Sequence, residues 1–177
     1  MFTRVRISLA VSILVAGCAT HPAAVAPESI QRTVGAVDGI DSTVFQYDEG
    51  LYRGGDVTTQ QGMNELKKLG VKTVFSVTPT DDERAFAARS GLRLVEVPFT
   101  KEGIPESKLP FYIQQLRDAE QPLYVHCHSG KNRGGTLLAA YRIHVQKWDF
   151  EKARSEFVAL GGRDQDFPKL MQSVRKD

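Results

Sequence analysis

The sequence predicts an α/β fold, a mostly parallel central sheet flanked by helices. Two observations predict it. From Thr58 to His126, segments with helical spacing alternate with strand-like runs across short connections, the order that builds parallel strands joined by crossover helices. The 177 residues are also 41% hydrophobic and 25% charged, the composition of one soluble domain with a packed core. A formal net charge of +2, with no run of Lys or Arg interleaved with aromatics, excludes a nucleic-acid footprint. Any anion site must therefore be local.

The chain opens on a segment outside that domain. Arg4 and Arg6 precede an apolar stretch from Ile7 to Ala16 that ends in small residues before Cys18, the pattern of an export signal over residues 1–17. The stretch is shorter than the roughly 20 residues a membrane-spanning helix needs. Val15-Ala16-Gly17-Cys18 resembles a bacterial lipobox, which implies cleavage before Cys18 and acylation of that residue; the alternative is an ordinary cleaved signal with an incidental Cys. Ala19, where Asp would retain such a lipoprotein at the inner membrane, points to the periplasmic face of the outer membrane in a bacterial cell envelope. Residues 18–43 carry Pro, Ala, Val and Gly without a helical or strand period and read as a lipidated N-terminus and flexible tether, leaving 44–177 as the folded domain.

Within the domain, Phe45-Gln46-Tyr47 and Leu51-Tyr52-Arg53 read as two short strands around the turn Asp48-Glu49-Gly50, closed by Gly54 and Gly55. Thr58 opens a helix with Met63, Leu66 and Leu69 at three-residue spacing and Gly70 after its end. Val71–Val77 follows as a strand, Asp81–Ser90 as a short helix ended by Gly91, and Leu92–Val97 as the next strand. After a loop with Lys101, Glu102 and Gly103, a helix runs from Ser107 to Leu116 with Pro110 tolerated in its first turn. Pro122–His126 is the last strand. Helices from about Gly134 to Gln146, from Asp149 to Leu160, and from Asp166 onward complete the domain, the last packing on the sheet.

Ligands of such sheets bind at the carboxyl ends of strands, and Cys127 stands at one. With Cys18 acylated it is the one remaining thiol of two cysteines, so no intramolecular disulfide can form. The segment His126-Cys127-His128-Ser129-Gly130-Lys131-Asn132-Arg133-Gly134 places this Cys after a strand, five residues of loop, and an Arg at the mouth of a helix. Loop amides of His128, Ser129, Gly130, Lys131 and Asn132 can turn inward on a phosphoryl group, helped by the positive end of the helix, and Gly130 supplies the dihedral freedom such a nest needs. Arg133 adds a two-pronged fork for phosphate oxygens. The same donors favour the thiolate over the free thiol, whose pKa is about 8.5.

These residues resemble the signature of the cysteine phosphatase superfamily: His-Cys, five residues, then Arg. Tyr52-Arg53-Gly54-Gly55, Gly70-Val71-Lys72-Thr73-Val74 and Gly130-Lys131-Asn132-Arg133 narrow the resemblance to compact dual-specificity-like phosphatases, over about Val44 to Gly162. The resemblance implies hydrolysis of a phosphate monoester through a phosphocysteine on Cys127, without metal or organic cofactor. The substrate it implies is a phosphorylated protein, an inositol phosphate or a phospholipid headgroup. A sulfurtransferase would need one residue fewer between Cys and Arg. A metal site from His126, Cys127 and His128 is disfavoured because neighbours on a strand point to opposite faces. His126 reads either as a support for the loop or as a satisfied core histidine, and His128 and Lys131 as rim residues.

Two positions depart from the family pattern. The loop that carries the family's acidic proton donor, Phe99 to Glu106, has no Asp, and Glu102, 25 residues before Cys127, is the first candidate, with Asp81 or Asp82 as alternatives. Gly134 stands where the family has a hydroxyl. These departures keep open a rival reading, a catalytically weak phosphate-binding pseudo-phosphatase module.

Overall fold

The computed structural model describes residues 32–174. The signal, Cys18 and the lipobox lie outside the described residues. Six strands form one mixed sheet in the order β1-β2-β3-β6-β4-β5: β1 Arg32–Gly35, β2 Val44–Asp48, β3 Leu51–Gly54, β4 Thr73–Ser76, β5 Arg93–Glu96 and β6 Leu123–His126. The first three are antiparallel neighbours, and β3, β6, β4 and β5 run parallel. Strands β3, β4 and β6 are buried at every position, as expected of parallel strands covered on both faces, whereas the edge strand β5 exposes Arg93 and Glu96.

The helices are α1 Gln60–Lys68, α2 Asp81–Ser90, α3 Leu109–Asp118, α4 Asn132–His144, α5 Phe150–Ala159 and α6 Phe167–Leu170, with short 3-10 turns ahead of α3 and α6. Thr59 caps α1 by accepting from the Gly62 amide, and Thr80 caps α2 by accepting from the Glu83 amide. Gly91 ends α2 in the left-handed conformation, φ 67°. Two apolar cores lie on opposite faces of the sheet. One gathers Met63, Leu66, Val74 and Tyr124 with Ala87; the other gathers Phe75, Val125, Leu137, Phe157 and Phe167. Helix α4 is buried continuously from Gly134 to Arg142, which makes it the central helix of the second face.

The strand pleat sets the active loop. Along β6, Leu123 and Val125 face one core and Tyr124 the other, so His126 points toward α2 while Cys127 joins the core beside α4. The expected tether is corrected over residues 32–43. Strand β1 pairs with β2, Ile40 is buried and bridges to Val57, and the Asp41 amide donates to the Asp56 carbonyl at 2.9 Å. Strand β1 is stabilised by backbone pairing at a sheet edge and needs no apolar period of its own. Helix α4 also starts two residues earlier than expected, which puts Arg133 in its first turn.

Candidate active site

Cys127 is 2% exposed and opens a cleft of about 200 Å³ lined by Lys101, Ser129, Asn132, Arg133, Arg163, Asp166 and Leu170. The loop from Cys127 to Arg133 joins β6 to α4. Gly130 has φ +66°, and a Cβ there would come within 2.2 Å of the Gly54 carbonyl oxygen, so both the dihedral and the close backbone approach demand glycine. The Gly130 amide donates to the Cys127 carbonyl at 2.9 Å. Arg133 makes no ion pair among the described residues, which leaves its fork available to an anion in the cleft. Arg53, 1% exposed, braces the far side, donating to the carbonyls of Leu160 at 2.5 Å and Lys131 at 3.5 Å.

Behind the loop, His126 is fully buried. Its Nε2 lies 2.6 Å from Glu83 Oε1, and its Nδ1 lies 3.3 Å from Asp56 Oδ1, at ion-pair range though off the line of a hydrogen bond. Burial alone would lower the pKa of this imidazole, but Asp56 and Glu83 outweigh it and raise the pKa above the usual histidine value. Asp56 is partly buried, and the His126 imidazole beside it together with hydrogen bonds to Thr78 and His128 overcome that burial and hold its carboxyl well below the ordinary range. His128 and Lys131 are exposed, and Lys131 lines a neighbouring pocket with Ser129, Gly130 and Leu160.

Glu102 is not on the cleft wall. Its carboxylate pairs with Lys169 at 2.6 Å and lines a separate depression with Ile104, Glu106 and Gln172. The hydrogen bond and charge of Lys169 hold its carboxyl below the usual range. The alternatives are also turned away: Asp81 is exposed on Arg84, and Asp82 lines a different pocket beside Thr80 and Phe86. The carboxylate that does line the Cys127 cleft is Asp166, contributed by the segment before α6. Asn132 of the loop holds this segment from both ends of its amide, donating to Asp166 Oδ2 at 2.8 Å and accepting from the Arg163 amide at 2.9 Å. Arg163 in turn pairs with Asp166 at 2.6 Å. Nothing in the local sequence announces Asp166 or Arg163; the one signal was Asn132, a loop residue whose side-chain amide can bridge to a neighbour.

Gly134 has room for a side chain. A Cβ there would sit 3.6 Å from Cys127 Sγ and 3.6 Å from the Cys127 amide nitrogen, ordinary van der Waals contact. Thr136 does not replace the missing hydroxyl, because its Oγ1 donates to the Asn132 carbonyl at 2.9 Å. Among the described residues no group of three or more His, Cys, Asp or Glu is arranged to hold a metal ion.

Comparison with known proteins agrees with this geometry. A family model described as DSP-PTPase phosphatase fused to NAD+ kinase matches residues 32–172. The dual specificity protein phosphatase TpbA of Pseudomonas aeruginosa is 36% identical over 118 residues, covering 66% of this chain and 53% of TpbA, so the match spans about half that relative's length. The inositol diphosphatase DSP4 of Arabidopsis thaliana is 29% identical over 139 residues, 70% of this chain and 68% of the relative. A crystal structure of P. aeruginosa TpbA in complex with pTyr superposes with a TM-score of 0.66 at 27% identity, covering 84% of this chain and 90% of that one.

Proposed function

Because the chain belongs to the DSP-PTPase phosphatase family, we propose that it is a phosphate-monoester hydrolase working through a phosphocysteine intermediate. The single observation that carries this reading is Cys127 buried at the floor of a cleft with Arg133, which makes no ion pair among the described residues, at the first turn of α4. Cys127 attacks phosphorus as thiolate, a sulfur–phosphorus bond forms, and the leaving oxygen departs with a proton. Arg133 and the loop amides over residues 128–132, apart from that of Gly130, which is bonded to the Cys127 carbonyl, hold the equatorial oxygens as charge develops on them. The proton comes from a carboxylate: Asp166 lines the Cys127 cleft, whereas Glu102 would have to leave Lys169 to act. Water then attacks phosphorus and gives its proton back to that carboxylate, the sulfur–phosphorus bond breaks, and inorganic phosphate leaves with Cys127 restored as thiolate. No metal or organic cofactor enters.

Phosphotyrosine or phosphoserine on proteins is the first substrate class, supported by the likeness to TpbA, whose structure was solved with pTyr. An inositol phosphate or phospholipid headgroup is the second reading. Lys101 and Arg163 favour it, because they place cations on the cleft wall beyond the one needed for a single phosphate. The location proposed for the protein is the periplasmic face of the outer membrane, anchored by acyl chains on Cys18, and this rests on the lipobox pattern alone. Replacement of Cys18 by Ser is expected to release the protein from membrane fractions, and unchanged association would remove the anchor.

The test of the chemistry is turnover of an aryl phosphate in the presence of a chelator, by the full chain and by Cys127→Ser. Activity in the first and a loss of at least about 1000-fold in the second are expected, since a hydroxyl is a far poorer nucleophile at neutral pH. Binding of vanadate without turnover in the unmodified chain would instead make this a phosphate-binding module.

A further inference from the structure

Four charged or titratable side chains stand in a line behind the phosphate loop, and the chemistry above gives them no task. Glu83, 2% exposed, accepts from the Ser76 hydroxyl at 2.7 Å and meets His126 Nε2 with its other oxygen. Asp56 faces His126 from the opposite side. Its Oδ1 accepts from the Thr78 hydroxyl at 2.6 Å, and its Oδ2 lies 2.9 Å from His128 Nδ1. The backbone repeats the link, since the Asp56 amide donates to the His128 carbonyl at 3.3 Å. Asp56 thus reaches the residue after the nucleophile and the residue before it. A carboxylate so close to an anion site should weaken anion binding by simple Coulomb repulsion. Its presence there calls for a compensating role.

We propose that Asp56 is a positioning residue of the phosphate loop: it tethers His128 through side chain and backbone and, together with Glu83, holds the His126 imidazole between two carboxylates behind Cys127. The packing of Gly130 on the Gly54 carbonyl holds a neighbouring part of the loop. The tether fixes the half of the loop whose amides meet phosphate, and the imidazolium offsets the two carboxylates that flank it. The titratable groups facing His126 are Glu83 from α2, Asp56 from the β3–α1 connection, and Tyr124 and Cys127 from its own segment; the Tyr124 ring stacks on it with centroids 5.5 Å apart.

The sign of the pH dependence follows. Both carboxylates raise the affinity of His126 for its proton, so the cation persists above pH 6.5 and is lost as pH rises through that raised value. Without the Asp56 charge one of the two anions is gone, and the proton leaves at lower pH. In Asp56→Asn, vanadate should bind about 10-fold more weakly at neutral pH, the size of one lost charge-assisted hydrogen bond. The ratio of variant to parent dissociation constants should also widen as pH rises, until both have lost the His126 proton.

This inference rests on the phosphatase reading, and the experiment separates the two. Vanadate affinity of the full chain is measured from pH 5.5 to 8.5 for the parent, Asp56→Asn, His128→Asn and the double variant. No vanadate binding by the parent would end the phosphatase reading itself. If the parent binds, then Asp56→Asn binding as tightly as the parent or tighter would mean that charge repulsion governs and overturn the proposal. A loss equal at every pH would also overturn it, since a merely structural residue has no reason to follow the His126 proton. Should Asp56→Asn fail to fold, His128→Asn still decides, because its exposed side chain removes the same tether without touching the core. It should weaken vanadate binding, and the double variant should lose less than the two single losses combined. Unchanged affinity in His128→Asn, or full additivity, would overturn the tether.

Discussion

On the flank of the phosphate loop that faces α2, charge is buried and closed on itself: Glu83 and His126 have side chains 2% and 1% exposed, and each polar end meets a partner or an opposite charge. On the flank formed by residues 163–170 and the loop around Lys101, charge is open. Arg163, Lys169 and Glu102 are 67%, 57% and 61% exposed, in pairs that water can reach. Buried pairs are costly to break, because a charge left alone has neither water nor partner. Exposed pairs contribute about 0–1 kcal/mol and exchange partners freely. The first flank is therefore suited to holding one loop geometry. The second is suited to meeting a substrate, whose charges can replace the contacts already there.

The largest expected effect that would break this comparison concerns the proton donor. If the open flank supplies it, Glu102→Gln slows hydrolysis of an alkyl phosphate by about 100-fold or more while an activated aryl phosphate, whose leaving group needs little protonation, is scarcely affected. Lys169→Met sharpens the same point. Lys169 lowers the Glu102 pKa, and a general acid works only while protonated, so removing the lysine should move the alkaline limb of kcat/KM for the alkyl substrate to higher pH. Asp166→Asn is the control on the cleft wall. Should it carry the leaving-group dependence and Glu102→Gln carry none, the acid belongs to the C-terminal segment.

The same contrast explains what could be read from the sequence. The β6–loop–α4 unit was legible because every constraint in it is local: a buried strand, a glycine at a positive φ, and an Arg in the first turn of a helix. Helix α2 was legible to the residue for a similar reason, with Thr80 before it and Gly91 after it. Strand β1 was not, because it is held by pairing with β2 and its residues carry no period of their own. Asp56 and His128 are 72 residues apart, and Asn132 and Asp166 are 34 apart, so neither contact leaves a trace in spacing. Glu102 is legible as a carboxylate on the loop before α3, but its pairing is not, since its partner Lys169 belongs to α6, an element whose position only the fold reveals.

A smaller effect is expected at Gly134, on the boundary between the flanks. The missing hydroxyl could hydrogen-bond the Cys127 sulfur as it leaves phosphorus, a contact to a charged group worth about 1.5–3 kcal/mol, or roughly 10- to 150-fold if made only in the transition state. The space at this position admits a serine without displacing Cys127, and Thr136 is committed to the Asn132 carbonyl. Phosphoenzyme breakdown should then be the slow step. Rapid mixing with an aryl phosphate is expected to give a burst stoichiometric with enzyme, and Gly134→Ser should raise steady-state turnover by about 10-fold with the burst rate unchanged. A linear time course together with unimproved turnover in the serine variant would show that breakdown is not limiting.

The smallest effect tests what the open flank recognises. Lys101 has no ion-pair partner among the described residues, whereas Arg163 is already neutralised by Asp166. A second negative group on the substrate would therefore gain more from Lys101, while Arg163 must first release its carboxylate or share it. Each contact is exposed, so its contribution is about 0.2–1 kcal/mol, which corresponds to no more than about 5-fold in KM. Lys101→Met should raise KM for an inositol polyphosphate by about 3-fold and leave a phosphotyrosine peptide without neighbouring acidic residues unchanged. Arg163→Met should do less. The Lys101 effect should also fade in 0.5 M salt, because screening shortens the reach of exposed charges and leaves buried ones nearly untouched. The part of the Asp56 effect that runs through buried His126 should survive the same salt, whereas the part carried by exposed His128 should not. If Lys101→Met alters both substrates equally, the lysine serves the scissile phosphate itself, and the open flank does not discriminate between the two substrate classes.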